Sequence, residues 1–408
     1  MKIHKKIPKH FMSLDALMIL INIFVFYQIL SLASMNFKFL DPLKNALSGF
    51  DIYDMYYSQI QPEQTADTNI VIVNIGNLDR RGIAGEINYI NSFNPKLIAL
   101  DILFTENKDA ESDSLLSDAF RKTKNLIMAF KLDNYNDSKE NYDSFKTSIP
   151  EFNRYAKNGY ANMPDDEKGG YRTIRRYMPF AQIKDSTVNS LTSAIISIYN
   201  PQKYSTLKKR NFEYEIINYK GNYKKFYTID VTDLQDPEFN PAFLKDKIVL
   251  MGFMGSSLAD QSLEDVFFTP MNANYAGRGF PDMYGVVIHA NIISMILNDS
   301  YIDQMPFLVS IVFTFLLCLL NVIMIKSLNA KFPILASTLT KVALSFQTIG
   351  ALYLGFFIFG LLKYKINLTL AMAAIVLVPS MNDFYHIYEI RLFNFIKRKI
   401  TKKDDNTE

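Results

Sequence analysis

The 408 residues include no tryptophan and a single cysteine. That cysteine, Cys318, lies inside an apolar run. No disulfide framework can therefore form within one chain, and a cysteine-rich metal site is excluded. Histidine is nearly as scarce, with His4, His10, His289 and His386. Only His289 falls in the mixed, globular-looking middle of the chain, which rules out a multi-histidine zinc centre there. No Gly-x-Ser-x-Gly elbow is present, so nucleophilic catalysis finds little support. A Ser256–His289–Asp265 set remains open by composition, but no spacing favours it. The net charge of +3 points to no nucleic-acid surface, because the basic residues gather at the termini beside apolar runs. We assign no catalytic residue, metal or cofactor, and find no internal repeat.

What is abundant is apolar sequence at the two ends. Leu14–Leu32 is broken only by Asp15, Asn22, Gln28 and Ser31. Phe307–Ile325, Leu344–Leu362 and Ile366–Val378 follow near the other end, the last continuing into Met381. A bilayer core takes roughly 20 apolar residues as helix, so four transmembrane helices are expected. The first reads as a retained anchor, since a cleaved signal has a shorter apolar core of about 7–15 residues; Ala33-Ser34 keeps cleavage open. Lys2, Lys5, Lys6 and Lys9 precede the first segment, Lys326 and Lys331 follow the second, and a basic group from Arg391 follows the fourth. Excess lysine and arginine marks the cytoplasmic side. Lys363 and Lys365 then lie outside, and Lys341 can snorkel to the cytoplasmic interface.

The expected organisation is a cytoplasmic N-terminus and first transmembrane helix over residues 1–35, an extracytoplasmic domain over 36–304, three transmembrane helices over 305–388 and a basic cytoplasmic tail over 389–408. The tail is too short for a kinase or cyclase, so any output is expected from a separate protein. The aromatic stretch Phe50–Tyr57 has helical spacing.

The middle region alternates strand and helix patterns. Asn69–Gly76, Leu97–Asp101, Asn125–Phe130 and Lys247–Gly252 read as buried strands, and Ile83–Phe93, Glu111–Thr123 and Gly285–Leu297 as helices. This order predicts an α/β domain with a largely parallel or mixed sheet flanked by helices. Residues 131–180 read as an irregular polar insertion, and the alternating Tyr, Phe and Ile of Thr206–Asp230 as a hairpin.

Five segments together resemble the type-two CHASE domain, an extracytoplasmic sensory module of bacterial signalling proteins. They are Ile70–Ile75; Leu100-Asp-Ile-Leu-Phe104; Asp166-Glu-Lys-Gly-Gly-Tyr-Arg172 with Arg175 and Arg176; Lys247–Gly252 followed by Asp265-Val-Phe-Phe-Thr-Pro270; and Tyr284-Gly-Val-Val-Ile-His-Ala-Asn291. The match runs from about Thr65 to Leu297, and the flanking apolar segments resemble the family's layout. The chain departs from the family at Asn74 and Gly76, where acidic residues are common. It departs again at Asn77-Leu-Asp-Arg-Arg81, where a Trp-Pro turn is usual. The resemblance implies a bacterial inner-membrane, multi-pass sensor or adaptor with both termini cytoplasmic. Its expected partners are the lipid bilayer, a separate output protein and a second copy of the chain, with no nucleic acid. An envelope assembly factor and a membrane-bound hydrolase are the alternatives.

The candidate ligand-binding residues are Asp101, Arg172, Arg175, Asp265, Thr269, His289 and Asn291. Ligands of parallel sheets bind beyond the carboxyl ends of strands, where Asn74, Gly76, Asp101 and Gly252 would sit. Asp101 could instead cap a turn or pair with Arg80 or Arg81. Arg172, Arg175 and Arg176 could clamp an anion, or form a solvated loop. Gly252–Ser257 reads as a tight turn, with backbone N–H groups presented to an anion as the alternative. His289 could sense acid with Asp260 or Asp265 as partner, or pack its helix on the sheet.

Overall fold

Runs of Val, Ile and Leu favour extended chain buried on both sheet faces, and that is where they lie. The computed structural model describes residues 17–19, 21–26, 28, 51–136, 141–163, 173–236, 238–260, 262–273 and 280–389. It divides the chain into two compact units, Tyr53–Ile302 and a second one drawn from both sides, up to Ile52 and from Asp303.

In the Tyr53–Ile302 unit the parallel strands are β1 (Asp67–Asn74), β2 (Leu97–Leu100), β3 (Leu126–Asn136), β5 (Lys157–Tyr160), β8 (Phe226–Ile229) and β9 (Ile248–Gly252). Strands β4 (Asn141–Lys146), β6 (Phe180–Ile183) and β7 (Ser186–Asn189) extend the sheet, β4 antiparallel to β3, β6 parallel to β4 and β7 antiparallel to β6. The order is β8-β1-β9-β2-β3-β4-β6-β7, with β5 also on β3, so the sheet is mixed. Val71, Val249, Ile98 and Leu126 stand abreast, as do Val73, Met251, Leu100 and Met128.

Both of these rows pack into one core with helices α1 (Arg80–Ser92) and α2 (Ala110–Lys122). Ile83, Ile87 and Ile90 of α1 and Leu116, Ala119 and Phe120 of α2 recur at helical spacing, and each is buried. Asp79 and Asp109 cap these helices, accepting from Gly82 N and Ser112 N at 2.8 Å each. The remaining helices are α3 (Leu191–Tyr199), α4 (Pro201–Arg210) and α5 (Gly285–Leu297). Every residue of α5 up to Ile296 is buried, as expected of a helix apolar all round.

Two expectations are corrected. The described part of residues 131–180 is not irregular, since β3 continues to Asn136 and pairs with β4, Tyr135 opposite Tyr142. Their polar content reflects alternation on a half-covered surface. No hairpin forms over Thr206–Asp230. Asn200 caps a helix that carries Pro201 in its first turn and runs to Arg210, ending at Asn211 in the left-handed region. Phe226–Ile229 is extended, but its partner is β1, some 150 residues earlier and parallel.

In the other unit, α6 (Phe307–Lys331) and α7 (Ala336–Leu362) are the two helices long and apolar enough to cross a membrane among the described residues. Helix α8 (Leu368–Phe384) has 17 residues, begins at the Asn367 cap, contains Pro379 and passes into a π turn at Tyr385. At 1.5 Å per residue that is about 26 Å, short of the roughly 30 Å apolar core. The four-span expectation is thus met by two helices. Of Leu14–Leu32, residues 17–19, 21–26 and 28 are described and helical, while the rest of that segment and the tail from Arg391 lie outside the described residues. Ser310, Thr314, Cys318 and Asn321 form a small-and-polar buried face on α6. Cys318 and Val322 pack with Ala374 and Val378 of α8.

Candidate functional site: the carboxyl edge of the sheet

The strand order places a switch point between β1 and β9. The chain leaves β1 for α1, in the core of the Val71–Val249 row. After β9 it reaches α5, where Val286 meets Gly252 so closely that a Cβ on that glycine would lie 2.8 Å away. Helices departing to opposite faces open a crevice beyond the strand ends. Asn74, Gly252 and Asp101 line up there, since Asn74 is abreast of Gly252 and the Asp101 amide donates to Met251 O at 2.9 Å.

Asn74 is fully buried and organises this edge. Its side-chain oxygen accepts from Met254 N at 2.8 Å and Gly76 N at 3.1 Å, and its amide nitrogen donates to Asp230 Oδ1 at 2.9 Å and Gly255 O at 3.2 Å. Gly76 sits at φ +52°, and a Cβ there would meet Ser256 O at 2.9 Å, so only glycine fits this close approach. The Gly252–Ser257 turn is therefore tied to β1 by the Asn74 amide. Asp230 also accepts from Leu258 N at 2.8 Å and caps the following helical turn in a capping box.

Glu86 of α1 adds a charge with no compensation. It is 8% exposed, and neither carboxyl oxygen has a hydrogen-bond partner. Burial, reinforced by the negative Asp230, pushes its pKa up to about 7. Sequence spacing carried a signal for it, because Glu86 lies three residues after Ile83 and four before Ile90, on the apolar face. Asp230-Val-Thr-Asp233 likewise shows a capping pattern.

The structure brings two of the candidates together. His289, buried on α5, has Nε2 3.8 Å from Asp101 Oδ2, an ion pair when the imidazole is protonated. The two arginines weighed as partners of Asp101 are engaged elsewhere. Arg80 is taken by Asp113 and stacks 5.4 Å from Phe152, and Arg81 pairs with Glu111 at 2.9 Å. Asp265 lies against the start of α5, where a Cβ on Gly285 would be 3.1 Å from its Oδ2; a carboxylate is favoured at a helix N-terminus.

The other candidates lie in separate networks. Thr269 donates through Oγ1 to Asp282 at 2.5 Å, and burial raises Asp282 to about 6. Asn291 accepts from Lys220 N at 2.7 Å and donates to Gly221 O at 2.9 Å, clamping that loop. Arg175 grips Asp54 with two hydrogen bonds of 2.8 and 2.5 Å. Arg172 lies outside the described residues. No group of three or more metal-ligating side chains occurs among the described residues.

A family model of the CHASE2 domain matches residues 20–325. The chain belongs to the CHASE2 family. No curated protein and no solved structure matches it. CHASE2 is an extracytoplasmic sensory domain family, so the buried carboxyl-edge groups described above belong to a domain of a class that senses. The CHASE2 match also extends beyond the α/β unit, from Leu20 at one end to Ile325 of α6 at the other.

Proposed function

We propose that this CHASE2 protein is a membrane-anchored sensor or adaptor. It binds a ligand or partner at the carboxyl edge of its extracytoplasmic sheet and passes the change to a separate protein. The observation that carries the reading is the pair at the strand ends, the half-buried Asp101 with its Oδ2 3.8 Å from Nε2 of the buried His289. Groups buried at a cost to stability are concentrated at functional sites. The proposed topology has four spans and both termini in the cytoplasm of a bacterial cell. It is supported by the length of α6 and α7 and by lysines at the α6 end, Lys326 and Lys331. A sensor must bind its ligand differently in two states. Displacement of helices continuous with the domain would supply the second state.

Photo-crosslinking in cells with the full chain tests this. A photoreactive residue placed at Lys326 should capture a partner protein, and Asp101→Asn with Glu86→Gln should change the yield. Capture only from positions on the α/β domain, unaffected by these substitutions, would favour a static envelope-assembly role and defeat the sensor reading.

A further inference from the structure

A second concavity lies wholly within the other unit, in a groove of about 590 Å³ between α7 and α8. Leu344 and Ile375 form its buried floor, while Ile349 and Val376 stand exposed along it. Pro379 helps to open the groove, because it cannot donate to the carbonyl four residues earlier and its ring spreads that turn.

The one charged group of the groove lies toward one end, and the Thr348 hydroxyl further along donates to Leu344 O at 2.9 Å within its own helix. Lys341, Ser345 and Ser380 line the charged end. Lys341 is in the second turn of α7 and Ser380 in the last turns of α8, so the two helices bring their hydroxyl and ammonium groups to the same end. Ile349 lies eight residues beyond Lys341, which is about 12 Å of helix toward its middle. Lys341 makes no hydrogen bond or ion pair with the described residues. A lone cation at the rim of an apolar groove matches an amphiphile with an anionic head and a hydrocarbon tail.

We propose that this groove binds an anionic phospholipid, with the phosphate on Lys341, Ser345 and Ser380 and an acyl chain along Leu344, Ile349 and Val376. A zwitterionic lipid would set its own ammonium group beside Lys341. A partner helix without an acidic group at that level would leave the Lys341 charge unpaired; Ser345, Thr348 and Ser380 would permit its approach, so crosslinking to a polypeptide is the competing outcome. The proposal rests on α7 spanning a bilayer.

Native mass spectrometry of the full chain, delipidated in detergent and offered phosphatidylglycerol or phosphatidylcholine, tests it. The chain should prefer phosphatidylglycerol about fivefold, the factor one lysine supplies near an anionic surface. Lys341→Gln should reduce that preference to parity. Ile349→Trp with Val376→Trp should lower uptake of both lipids. An undiminished preference in Lys341→Gln, or none in the natural chain, overturns the proposal. So does in-cell crosslinking from Val376 to a polypeptide rather than to lipid. Release of the chain from membranes by alkaline carbonate would instead defeat the membrane reading itself, which keeps the two failures distinct.

Discussion

The two ends of β1 solve the burial of polar groups in opposite ways. At the amino end, Asp67 is 4% exposed and fully engaged, accepting from Asn69 N at 3.0 Å, Ser294 Oγ at 2.6 Å and Asn298 Nδ2 at 3.1 Å. At the carboxyl end, Asn74 and Asp230 are equally well served, yet Glu86 is buried beside them with no hydrogen bond. A carboxylate accepting several hydrogen bonds is stabilised in its charged form, and a buried one without them is driven to take up a proton. One end of the strand fastens β1 to α5, and the other has near it a buried carboxyl group without hydrogen bonds.

The contrast can be broken by substitution in the full chain, followed by thermal or denaturant unfolding in detergent. Asn74→Ala should cost most, about 4 kcal/mol, because it leaves two buried amides without their acceptor and removes one of the hydrogen bonds to Asp230 at once. A loss under 1 kcal/mol would mean that Asn74 is not the organiser of the edge. Asp67→Ala should cost about 2–3 kcal/mol by leaving Ser294 and Asn298 unsatisfied.

Glu86→Gln should do the reverse. The pKa of Glu86 lies higher in the folded chain than in the unfolded one, so its contribution to stability is fully present below about 4.5 and lost as pH rises through about 7. The Gln variant should therefore be the more stable of the two at pH 8, by about 2 kcal/mol, and should lose its advantage near pH 5. Equal stabilities at both pH values would remove the reading of Glu86 as a buried carboxyl group without hydrogen bonds. The smallest effect is expected from Thr269→Val. Asp282, raised to about 6 by burial, loses the hydroxyl that helps hold its charged form. The cost should be about 1 kcal/mol at pH 8 and fade as pH falls through the Asp282 transition.

How much of this was legible in the sequence depended on distance along the chain. The strands from Ile70, Leu97 and Ile248 declared themselves as short apolar runs, and α1, α2 and α5 by periodicity, because those signals are local. β8 was misread because its alternation marks an extended segment without saying which strand it joins. The edge cluster was half visible. Asp101 and Gly252 could be placed at strand ends, but the pairing of Asp101 with His289 joins residues 188 positions apart in sequence. Glu86 was not singled out, although its spacing from Ile83 and Ile90 placed it on the core side.

The position of β9 also bears on how the chain comes to be folded. β9 lies between β1 and β2 and hydrogen-bonds to both, yet Ile248 follows Leu100 by about 150 residues. Until that segment emerges during synthesis, the facing edges of β1 and β2 have no partner for their backbone groups. Sheets closed by such distant pairings form slowly and expose edges prone to association. The nascent chain must keep two sticky ribbons apart for most of the time the domain takes to be made. Truncations ending before Lys247 should therefore aggregate rather than fold in part.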